Sequence, residues 1–387
     1  MIPMRIRGTN DTGVPPIAMR EIDVNVTNFC NLECIHCSYE STPGKHEPSL
    51  DADVVHRLMD QAKAMGNEVM HWSGGEALLH PNIGDFIEHG VELGYGMRLL
   101  SNGALLNDAK LDDLWDRGLR KMFVSLDGFE QNHDDHRASD GLFTKTIRGI
   151  ERSVAHGYDV RVNAVATTRN ADEMTDLLDH VEALGVHTFT VFYLIPVGRG
   201  REITDLMVPP DRWRRLTDEL RDRASHITRP MQVTVEKVFR WQDEWPAELQ
   251  KDGRGGGCLG FLDKCDYVNV LSNGDVFPCV CFVDEGPALG NVYHRDLAEI
   301  LHDPRAWEFY WNMQQVGEAC SGCRLLDDCN GGNRPASKVM RGDWFELDPR
   351  CSGDPEQQGF MPVCYMLRED VRTRSQSGFA EAVPESP

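Results

Sequence analysis

The sequence predicts an α/β fold: a full or partial barrel of parallel strands, followed by a smaller, loop-rich unit. From Arg20 to about Glu236, short apolar runs alternate with amphipathic stretches at the spacing of βαβ units, and six or more such units suggest a barrel. Beyond Gln242 the helical periodicity fades and cysteines become dense. The chain has 387 residues, which allows about two or three domains.

Seven apolar runs are predicted to be buried strands, and the stretches 52–66, 145–157 and 171–185, each with one apolar face, are predicted to be helices. Because chemistry in parallel α/β sheets takes place at the carboxyl ends of the strands, functional residues are expected there. The predicted strands are 22–27, 68–73, 97–101, 121–126, 160–167, 189–195 and 231–236.

The rest of the chain predicts a second domain with a different texture. A glycine-rich run at 251–258 suggests a hinge, and Asn273-Gly274 predicts a β-hairpin within 267–279. The last twenty or so residues are small and polar, as in a disordered tail. The expected segments are an N-terminal extension 1–20, a barrel 21–236, a second domain 237–365 and a tail 366–387.

Charge and hydropathy exclude several classes of partner. The chain has 40 Lys and Arg residues against 62 Asp and Glu residues, a net charge of −22, so a nucleic-acid groove or an anionic membrane surface would be repelled. No run of about 18 apolar residues could span a membrane, and no apolar stretch follows the basic N-terminus. We therefore expect a cytoplasmic protein without a membrane or nucleic-acid partner.

Twelve cysteines fall into two separate groups. Three are Cys30, Cys34 and Cys37, and the other nine lie between Cys258 and Cys364. In a chain without an export signal, metal binding or redox chemistry explains so many cysteines better than disulfides do. The grouping predicts two metal-bearing regions.

The first group, Cys30-x3-Cys34-x2-Cys37, directly follows the first predicted strand. Three thiolates can hold three irons of a [4Fe–4S] cluster and leave the fourth iron open. Zinc is the alternative, with His36 as the nearby candidate for a fourth ligand; plain burial is another. The next strand ends in Ser73-Gly74-Gly75-Glu76, where glycines permit close backbone approach and the acid can accept a bond from an ammonium group. A simple turn with Glu76 at the start of a helix is the alternative.

The cysteine triplet followed by Gly-Gly-Glu resembles the radical S-adenosylmethionine (SAM) superfamily over about residues 21–236. The resemblance implies a partial (β/α)6 TIM-like barrel and a [4Fe–4S] cluster on the three cysteines, with SAM chelating the open iron. Reduction then cleaves SAM to a 5′-deoxyadenosyl radical that abstracts a substrate hydrogen. The implied electron donor is a reductant such as flavodoxin or ferredoxin. For Asn102, Ser125 and Asn163 the alternative is a loop cap. The implied SAM-contacting residues are His36, Gly74, Gly75, Glu76, Ser101, Asn102, Ser125, Asp127 and Asn163.

The second cysteine group resembles the SPASM extension, a small cluster-binding domain with two auxiliary [4Fe–4S] clusters. The carrying pattern is Cys258-x15-Gly274-x4-Cys279, then Cys320-x2-Cys323-x5-Cys329, then Cys351. A pair of structural zinc sites is the rival interpretation. The resemblance implies that Cys320, Cys323, Cys329 and Cys351 ligate the second auxiliary cluster and that Cys258, Cys265 and Cys279 supply three ligands to the first.

One departure from the SPASM pattern affects the first auxiliary cluster. Asn333 stands four residues after Cys329, where the family usually has a cysteine. The fourth iron could be open, bound by water or substrate, or held by one of the spare thiols Cys281 and Cys364. An open iron could bind substrate directly, whereas a fully ligated cluster would relay electrons.

The substrate is predicted only as a class. SPASM relatives often modify peptides, so a peptide or natural-product intermediate is expected; because about twenty residues precede the first strand, leader recognition would fall to a separate protein. Val280 stands where sulfatase-maturing relatives carry an acid, so the sequence does not favour oxidation of Ser or Cys to formylglycine. The run from Cys329 to Arg334 instead resembles tetrapyrrole-processing members, which makes haem-type modification the alternative. Arg199 is a candidate for binding a substrate carboxylate or for a structural role. A non-catalytic iron–sulfur or zinc scaffold is the alternative of another class.

Overall fold

A mostly parallel sheet of eleven strands organises the chain. The structure, a computed structural model, describes residues 2–3, 12–44, 48–244, 259–363 and 368–372. The elements of the first half are β1 (Ile2–Pro3), β2 (Ile17–Asn25), α1 (Ala52–Ala64), β3 (Val69–Ser73), α2 (Ile83–Glu92), β4 (Gly96–Ser101), α3 (Asp108–Asp116), β5 (Lys121–Ser125), α4 (Glu130–Arg137), α5 (Leu142–His156), β6 (Asp159–Ala166), α6 (Met174–Leu184), β7 (Thr188–Tyr193), α7 (Pro210–Ser225) and β8 (Gln232–Glu236).

The second half contains shorter elements separated by loops, in keeping with its predicted texture. They are β9 (Phe239–Trp241), β10 (Cys265–Val270), β11 (Asp275–Phe277), β12 (Gly290–Asn291), α8 (Leu297–Leu301), α9 (Pro304–Asn312), β13 (Gln315–Val316), α10 (Leu326–Cys329), α11 (Arg334–Arg341), α12 (Pro355–Gln358), β14 (Phe360–Pro362) and β15 (Arg368–Arg372).

Strands β2 to β8 lie in chain order, and each is parallel to the next, as right-handed βα units require. These are the seven predicted strands; β2 begins at Ile17, five residues earlier than expected. The register aligns their carboxyl ends, since Asn25 pairs with Ser73 and Ser125 pairs with Asn163. Polar residues at these ends therefore meet at one edge of the sheet.

The cysteine-rich segment extends the same sheet. Strand β10 pairs in parallel with β2, with Asn269 beside Asp23, while β11 and β12 continue in antiparallel pairing. The predicted hairpin is confirmed: β10 and β11 flank Gly274, whose φ of 89° lies in the left-handed region that glycine tolerates. The predicted hinge, 251–258, lies outside the described residues.

At the opposite edge, β15 pairs with β8 in antiparallel fashion. The expectation of a disordered tail from residue 366 is therefore wrong for 368–372. This strand is too polar to be recognised by periodicity, because it is an edge strand held by backbone pairing, by the ion pair between Arg221 and Glu369, and by a hydrogen bond from Arg372 Nη1 to the Ala224 carbonyl.

The core lies between the sheet and its helices. Alternate residues of β6 are buried, and the apolar faces of the helices pack on the sheet. Trp72 on β3 stacks on Phe86 of α2 with ring centroids 5.6 Å apart, and both side chains are fully buried. Burial of each large apolar side chain contributes about 1.5–3 kcal/mol, which fixes the strand ends that carry the site.

Candidate active site

One cavity of about 370 Å³ lies at the carboxyl ends of the parallel strands. Its wall brings together all three cysteines of the first group, side chains from the six strands β2 to β7 and two residues of β10. Of the nine predicted SAM contacts, the structure places seven in this wall: His36, Gly74, Gly75, Ser101, Asn102, Ser125 and Asn163.

The cysteine loop follows β2 and is held through its backbone. The Ile35 N–H donates to the His136 carbonyl, 3.0 Å away, and Arg199 donates from Nε to the Cys34 carbonyl and from its backbone N–H to the Cys37 carbonyl. Cys30 and Cys34 are buried, and burial raises the pKa of the Cys30 thiol to about 12. Such thiols become ligands when a cation displaces their protons.

Gly74 and Gly75, directly after β3, allow the backbone there to contact the backbone of residues 27–29. The Gly75 N–H donates to the Thr27 carbonyl at 2.7 Å, and the Glu76 N–H donates to the Phe29 carbonyl at 3.0 Å. A Cβ on Gly74 would lie 2.5 Å from the Thr27 oxygen, and one on Gly75 would overlap the Phe29 carbonyl. The glycines are required because the chain segment they contact leads directly into Cys30.

Glu76 supports the next turn instead of facing the cavity. Its carboxylate accepts from the Asn102 N–H at 2.8 Å and from the Leu78 N–H at 3.3 Å. Burial raises the pKa of Glu76 to about 7, although these hydrogen bonds oppose the shift. Of the predicted Gly-Gly-Glu contacts, only the two glycines line the cavity.

The turn after β4 presents Ser101 and Asn102 to the cavity. Asn102 donates from Nδ2 to Asn31 Oδ1 at 2.9 Å and accepts from the Ala104 N–H at 3.0 Å. Ser101 accepts from the Gly103 N–H at 3.1 Å. These bonds tie the turn to the cysteine loop, and they include the loop-cap role that was the alternative for Asn102.

Asp127 lies behind the cavity wall. It is fully buried, and it accepts from Arg137 Nε at 2.6 Å and from the Val165 N–H at 2.9 Å. Burial alone would raise the pKa of Asp127, but the facing guanidinium and nearby histidines outweigh burial and hold this pKa well below its usual range. Arg137 in turn donates from Nη1 to Cys34 Sγ at 3.8 Å and lines the cavity.

His36 is the predicted contact best placed to bind a ligand through a side chain. Burial lowers the pKa of His36 to about 3, despite Asp127 Oδ2 lying 3.9 Å from Nε2, so the ring is neutral. Its Nδ1 is buried and has no hydrogen-bond partner among the described residues. A buried polar atom in a cavity wall indicates a position for a ligand group.

Sequence reasoning missed a polar patch on the β2 and β10 side of the cavity. Buried Asp23 accepts a hydrogen bond from Ser73 Oγ, and burial raises the pKa of Asp23. Asn269 accepts at Oδ1 from Tyr39 at 3.4 Å and from Tyr267 at 3.1 Å. The available signal was a polar residue within an apolar strand, Asp23 in the run 22–27.

The sequence candidate Arg199 and two residues of α4, His133 and Asp134, have structural roles. His133, in the polar run of α4, accepts the Asp127 N–H at Nδ1, and Asp134 accepts the Phe143 N–H at 2.7 Å. Arg199 has Nε and Nη2 bound to the carbonyls of Cys34 and Ser41. These residues brace the cysteine loop and the start of α5.

A second, smaller cavity of about 30 Å³ lies in the cysteine-rich half. Its wall contains the four cysteines predicted to share one cluster: Cys320, Cys323, Cys329 and Cys351. Within the described residues, no three Cys, His, Asp or Glu side chains converge closely enough to hold a single metal ion. Four thiols around one space are the ligand set of a [4Fe–4S] cluster.

The first auxiliary group is only partly described. Cys265, at the start of β10, and Cys279, after β11, are both buried, and so is Cys281. Cys258 and Cys364 lie outside the described residues.

Comparison with known families agrees with this geometry. Residues 24–181 match the radical SAM superfamily, and residues 262–324 match the SPASM iron–sulfur cluster-binding domain. The chain is thus a radical SAM enzyme, the class that the parallel sheet and the three-cysteine cavity define. More particularly, it belongs to those members that carry a C-terminal SPASM domain, as the sequence predicted.

Curated relatives resemble the chain along most of its length. The AdoMet-dependent heme synthase of Methanosarcina barkeri is 28% identical over 342 residues, which cover 86% of this chain and 96% of the relative. The PqqA peptide cyclase of Xanthomonas campestris pv. campestris is 25% identical over 348 residues, 89% of each chain.

Solved structures share the fold. Streptococcus suis SuiB bound to S-adenosylmethionine superposes with a TM-score of 0.70 at 18% identity, covering 87% of this chain and 78% of SuiB. SuiB bound to its precursor peptide SuiA gives a TM-score of 0.71 at 18% identity, covering 87% of this chain and 76% of SuiB. The predicted partial-barrel fold class is confirmed.

The cofactors follow from the family and fit the residues present. The radical SAM domain binds a [4Fe–4S] cluster and SAM, and the SPASM domain binds auxiliary iron–sulfur clusters. One cavity is lined by the thiols of Cys30, Cys34 and Cys37, by Gly74 and Gly75, and by His36, whose Nδ1 has no hydrogen-bond partner among the described residues. A [4Fe–4S] cluster and SAM bound side by side require such a set of residues. In the part of the chain that the structure describes, no helix is long and apolar enough to cross a membrane.

Proposed function

We propose that this enzyme abstracts a hydrogen atom from an unreactive C–H bond of a peptide or natural-product intermediate. The observation that carries the proposal is one cavity that contains both the three cysteines and a separate polar patch from β2 and β10. When bound, the cluster and SAM supply the 5′-deoxyadenosyl radical that begins such chemistry.

The chain's own residues hold, orient and shield the reacting groups. Cys30, Cys34 and Cys37 would bind the cluster, and the glycine pair together with Asn102 would position SAM beside it. Leu32, Leu100, Val165, Phe192 and Val280 form the apolar part of the wall. Apolar lining excludes water, which protects a reactive intermediate from side reactions.

In this proposal, the polar patch of Asp23 and Asn269 forms the part of the cavity wall that faces the substrate. Asp23 and Asn269 are buried residues that line the cavity, and Asn269 Nδ2 has no hydrogen-bond partner among the described residues. A carboxyl group beside an amide donor can bind an amide or an amine on the substrate. Peptides carry such groups at every residue.

Positive charge in the described cavity wall is already engaged. Arg137 is paired with Asp127, Arg199 binds backbone carbonyls, and no lysine lies in the described part of the wall. A substrate with several carboxylates would need more cationic partners than these two arginines, each of which already has partners. The charge arrangement therefore favours a neutral or cationic substrate.

Similarity to peptide-modifying proteins supports the same substrate class. PqqA peptide cyclases match the chain along most of its length, and the fold is that of SuiB bound to SuiA. We infer that a separate protein presents a leader-bearing peptide and that a flavodoxin or ferredoxin delivers the electron.

Haem-type tetrapyrrole modification is the second candidate, and one observation favours it. The heme synthase of Methanosarcina barkeri is matched over 96% of its length. A direct comparison separates the two candidates: the reconstituted enzyme is titrated with iron coproporphyrin, a probe with four carboxylates, and with short amidated peptides. Tetrapyrrole modification requires a saturable shift of the porphyrin absorption band, and peptide modification requires saturable peptide binding.

Single-turnover cleavage of SAM tests the proposed activity. Anaerobically reconstituted, reduced enzyme is mixed with SAM, and 5′-deoxyadenosine is measured by liquid chromatography. We expect about one equivalent per chain from the wild type and none from Cys34→Ala, while the absorption of the auxiliary clusters persists in the variant. Absence of 5′-deoxyadenosine from wild-type enzyme with an intact cluster would exclude radical SAM chemistry and leave the non-catalytic scaffold.

A further inference from the structure

Asn333, which stands where SPASM proteins usually have a cysteine, is the N-cap of helix α11. Its Oδ1 accepts from the Ala336 N–H at 3.0 Å, and its own backbone N–H donates to Asp348 Oδ2 at 2.7 Å. Asn333 is buried, with only 4% of the residue exposed. Position 333 is therefore fixed, and its side-chain oxygen satisfies a helix terminus.

The other end of the Asn333 amide contacts a sulfur. Nδ2 donates to Cys281 Sγ at 3.8 Å, across 52 residues of sequence. Cys281 is only 1% exposed and lies in the short 3₁₀ turn Val280–Phe282. A thiol group thus lies next to the position at which the usual cysteine side chain would project.

The hairpin brings Cys279 back alongside β10, and Cys281 follows two residues later. Asn269 pairs with Phe277 and Val270 pairs with Val276, and the backbone stays extended through Cys279, with φ −161° and ψ 141°. Continued along the chain, this register brings Cys279 level with Tyr267, and the 3₁₀ turn Val280–Phe282 then ends the extended pairing. Cys265, Cys279 and Cys281 are all buried.

We infer that Cys281 supplies the thiolate ligand of the first auxiliary cluster that Asn333 cannot supply, beside Cys265 and Cys279. The inference rests on the family's auxiliary clusters and not on the substrate. The Asn333 amide then acts as an N–H···S donor to the ligating sulfur, the kind of contact that tunes the potential of iron–sulfur clusters.

The proposed ligand also assigns a role to the cluster. Val280, between Cys279 and Cys281, lines the active-site cavity, so the cluster would lie directly behind the substrate-facing wall. Together with the three ligands predicted from the sequence, Cys258, Cys265 and Cys279, Cys281 would complete four thiolates and leave no open iron for a substrate. The cluster would exchange electrons across the wall instead of binding the substrate.

Iron counting and Mössbauer spectroscopy of the full-length, anaerobically reconstituted enzyme test this inference. Cys281→Ala should lose up to one cluster's iron and sulfide, or retain a three-iron cluster, while the cluster on Cys30, Cys34 and Cys37 keeps its spectrum. The double variant Cys281→Ala/Asn333→Cys should restore the wild-type iron content, because it returns a thiol to the neighbouring position. Wild-type iron and spectra in Cys281→Ala would refute the inference, and loss in Cys364→Ala in its place would assign the ligand to Cys364.

A second variant keeps every cysteine and so avoids misfolding through ligand loss. Asn333→Asp retains the helix-capping oxygen but replaces the N–H donor by a carboxylate oxygen. The reduction potential of one auxiliary cluster should fall, as measured by anaerobic potentiometry, with unchanged iron content. An unchanged potential would show that the Asn333 amide does not contact a ligating sulfur. Because these readouts are independent of 5′-deoxyadenosine, they remain decisive even if the proposed activity fails.

Discussion

Arg137 donates from Nη1 to the sulfur of Cys34 across 3.8 Å. The same guanidinium is bonded through Nε to Asp127, so one buried cation links the Cys34 thiol, a proposed cluster ligand, to an acid just beyond β5. Removing one partner of such a pair leaves an uncompensated buried charge, whereas removing both avoids it.

We therefore expect Arg137→Met to lower the free energy of unfolding by about 3–5 kcal/mol, because Asp127 loses its counter-charge. The double variant Arg137→Met/Asp127→Asn should recover part of this loss. Anaerobic urea titration followed by circular dichroism measures both changes. A double variant as unstable as the sum of the two single variants would show that the residues do not interact.

The stabilisation from Asp127 should depend on pH with a definite sign. The pKa of this carboxyl is depressed in the folded protein from its ordinary value of 3.8, so the unfolded state binds the proton first as the pH falls. The contribution is complete above about pH 5 and decreases progressively below about pH 4. The difference in urea midpoint between wild type and Asp127→Asn should therefore decrease as the pH falls below about 4. A difference that stays constant down to about pH 3 would contradict this assignment.

Gly75→Ala should disrupt the cluster loop. The new Cβ would lie 2.6 Å from the Phe29 carbonyl carbon, a backbone atom that cannot move without displacing Cys30. We expect loss of the site-differentiated cluster in electron paramagnetic resonance spectra and loss of 5′-deoxyadenosine formation. Gly96→Ala is the matched control, because its Cβ would meet Val69 Cγ2 at an ordinary 3.5 Å. Equal behaviour of the two variants would disprove the steric explanation.

Glu76→Gln should weaken SAM binding without direct contact to SAM. Glutamine has one acceptor oxygen, so either the Asn102 or the Leu78 N–H loses its partner, at a cost of about 1–3 kcal/mol. Because the turn at Asn102 lines the cavity, part of this cost should appear as a raised dissociation constant in anaerobic calorimetry. Unchanged affinity would mean that the turn is fixed by other contacts.

Local patterns in the sequence predicted the parts of the molecule that local interactions determine. The seven parallel strands follow from apolar runs, and the cysteine triplet and glycine pair follow from spacing. Arg137 could not be found in this way, because it reaches Cys34 across 103 residues and lies on an eight-residue helix with no apolar periodicity. The inward direction of Glu76 was equally hidden, since it depends on where the next turn's N–H groups lie.

The pairing of β10 with β2 was also beyond sequence reasoning. Nothing in the run from Cys265 to Val270 specifies a partner strand more than two hundred residues earlier. The texture change after Gln242 predicted a separate unit, whereas the parallel pairing adds its first long strand to the barrel sheet.

The pairing of β10 with β2 gives the cysteine-rich half a second role besides metal binding, because β10 covers one edge of β2. Strand β2 leads into the first cysteine loop, and β10 covers its outer row of peptide groups, with Tyr267 beside Glu21 and Val270 beside Val24. Without β10 those groups would form an open, largely apolar border of the kind that recruits strands from other molecules. A chain shortened before Cys265 should therefore aggregate through the exposed edge of β2, an edge that the full-length chain covers with β10.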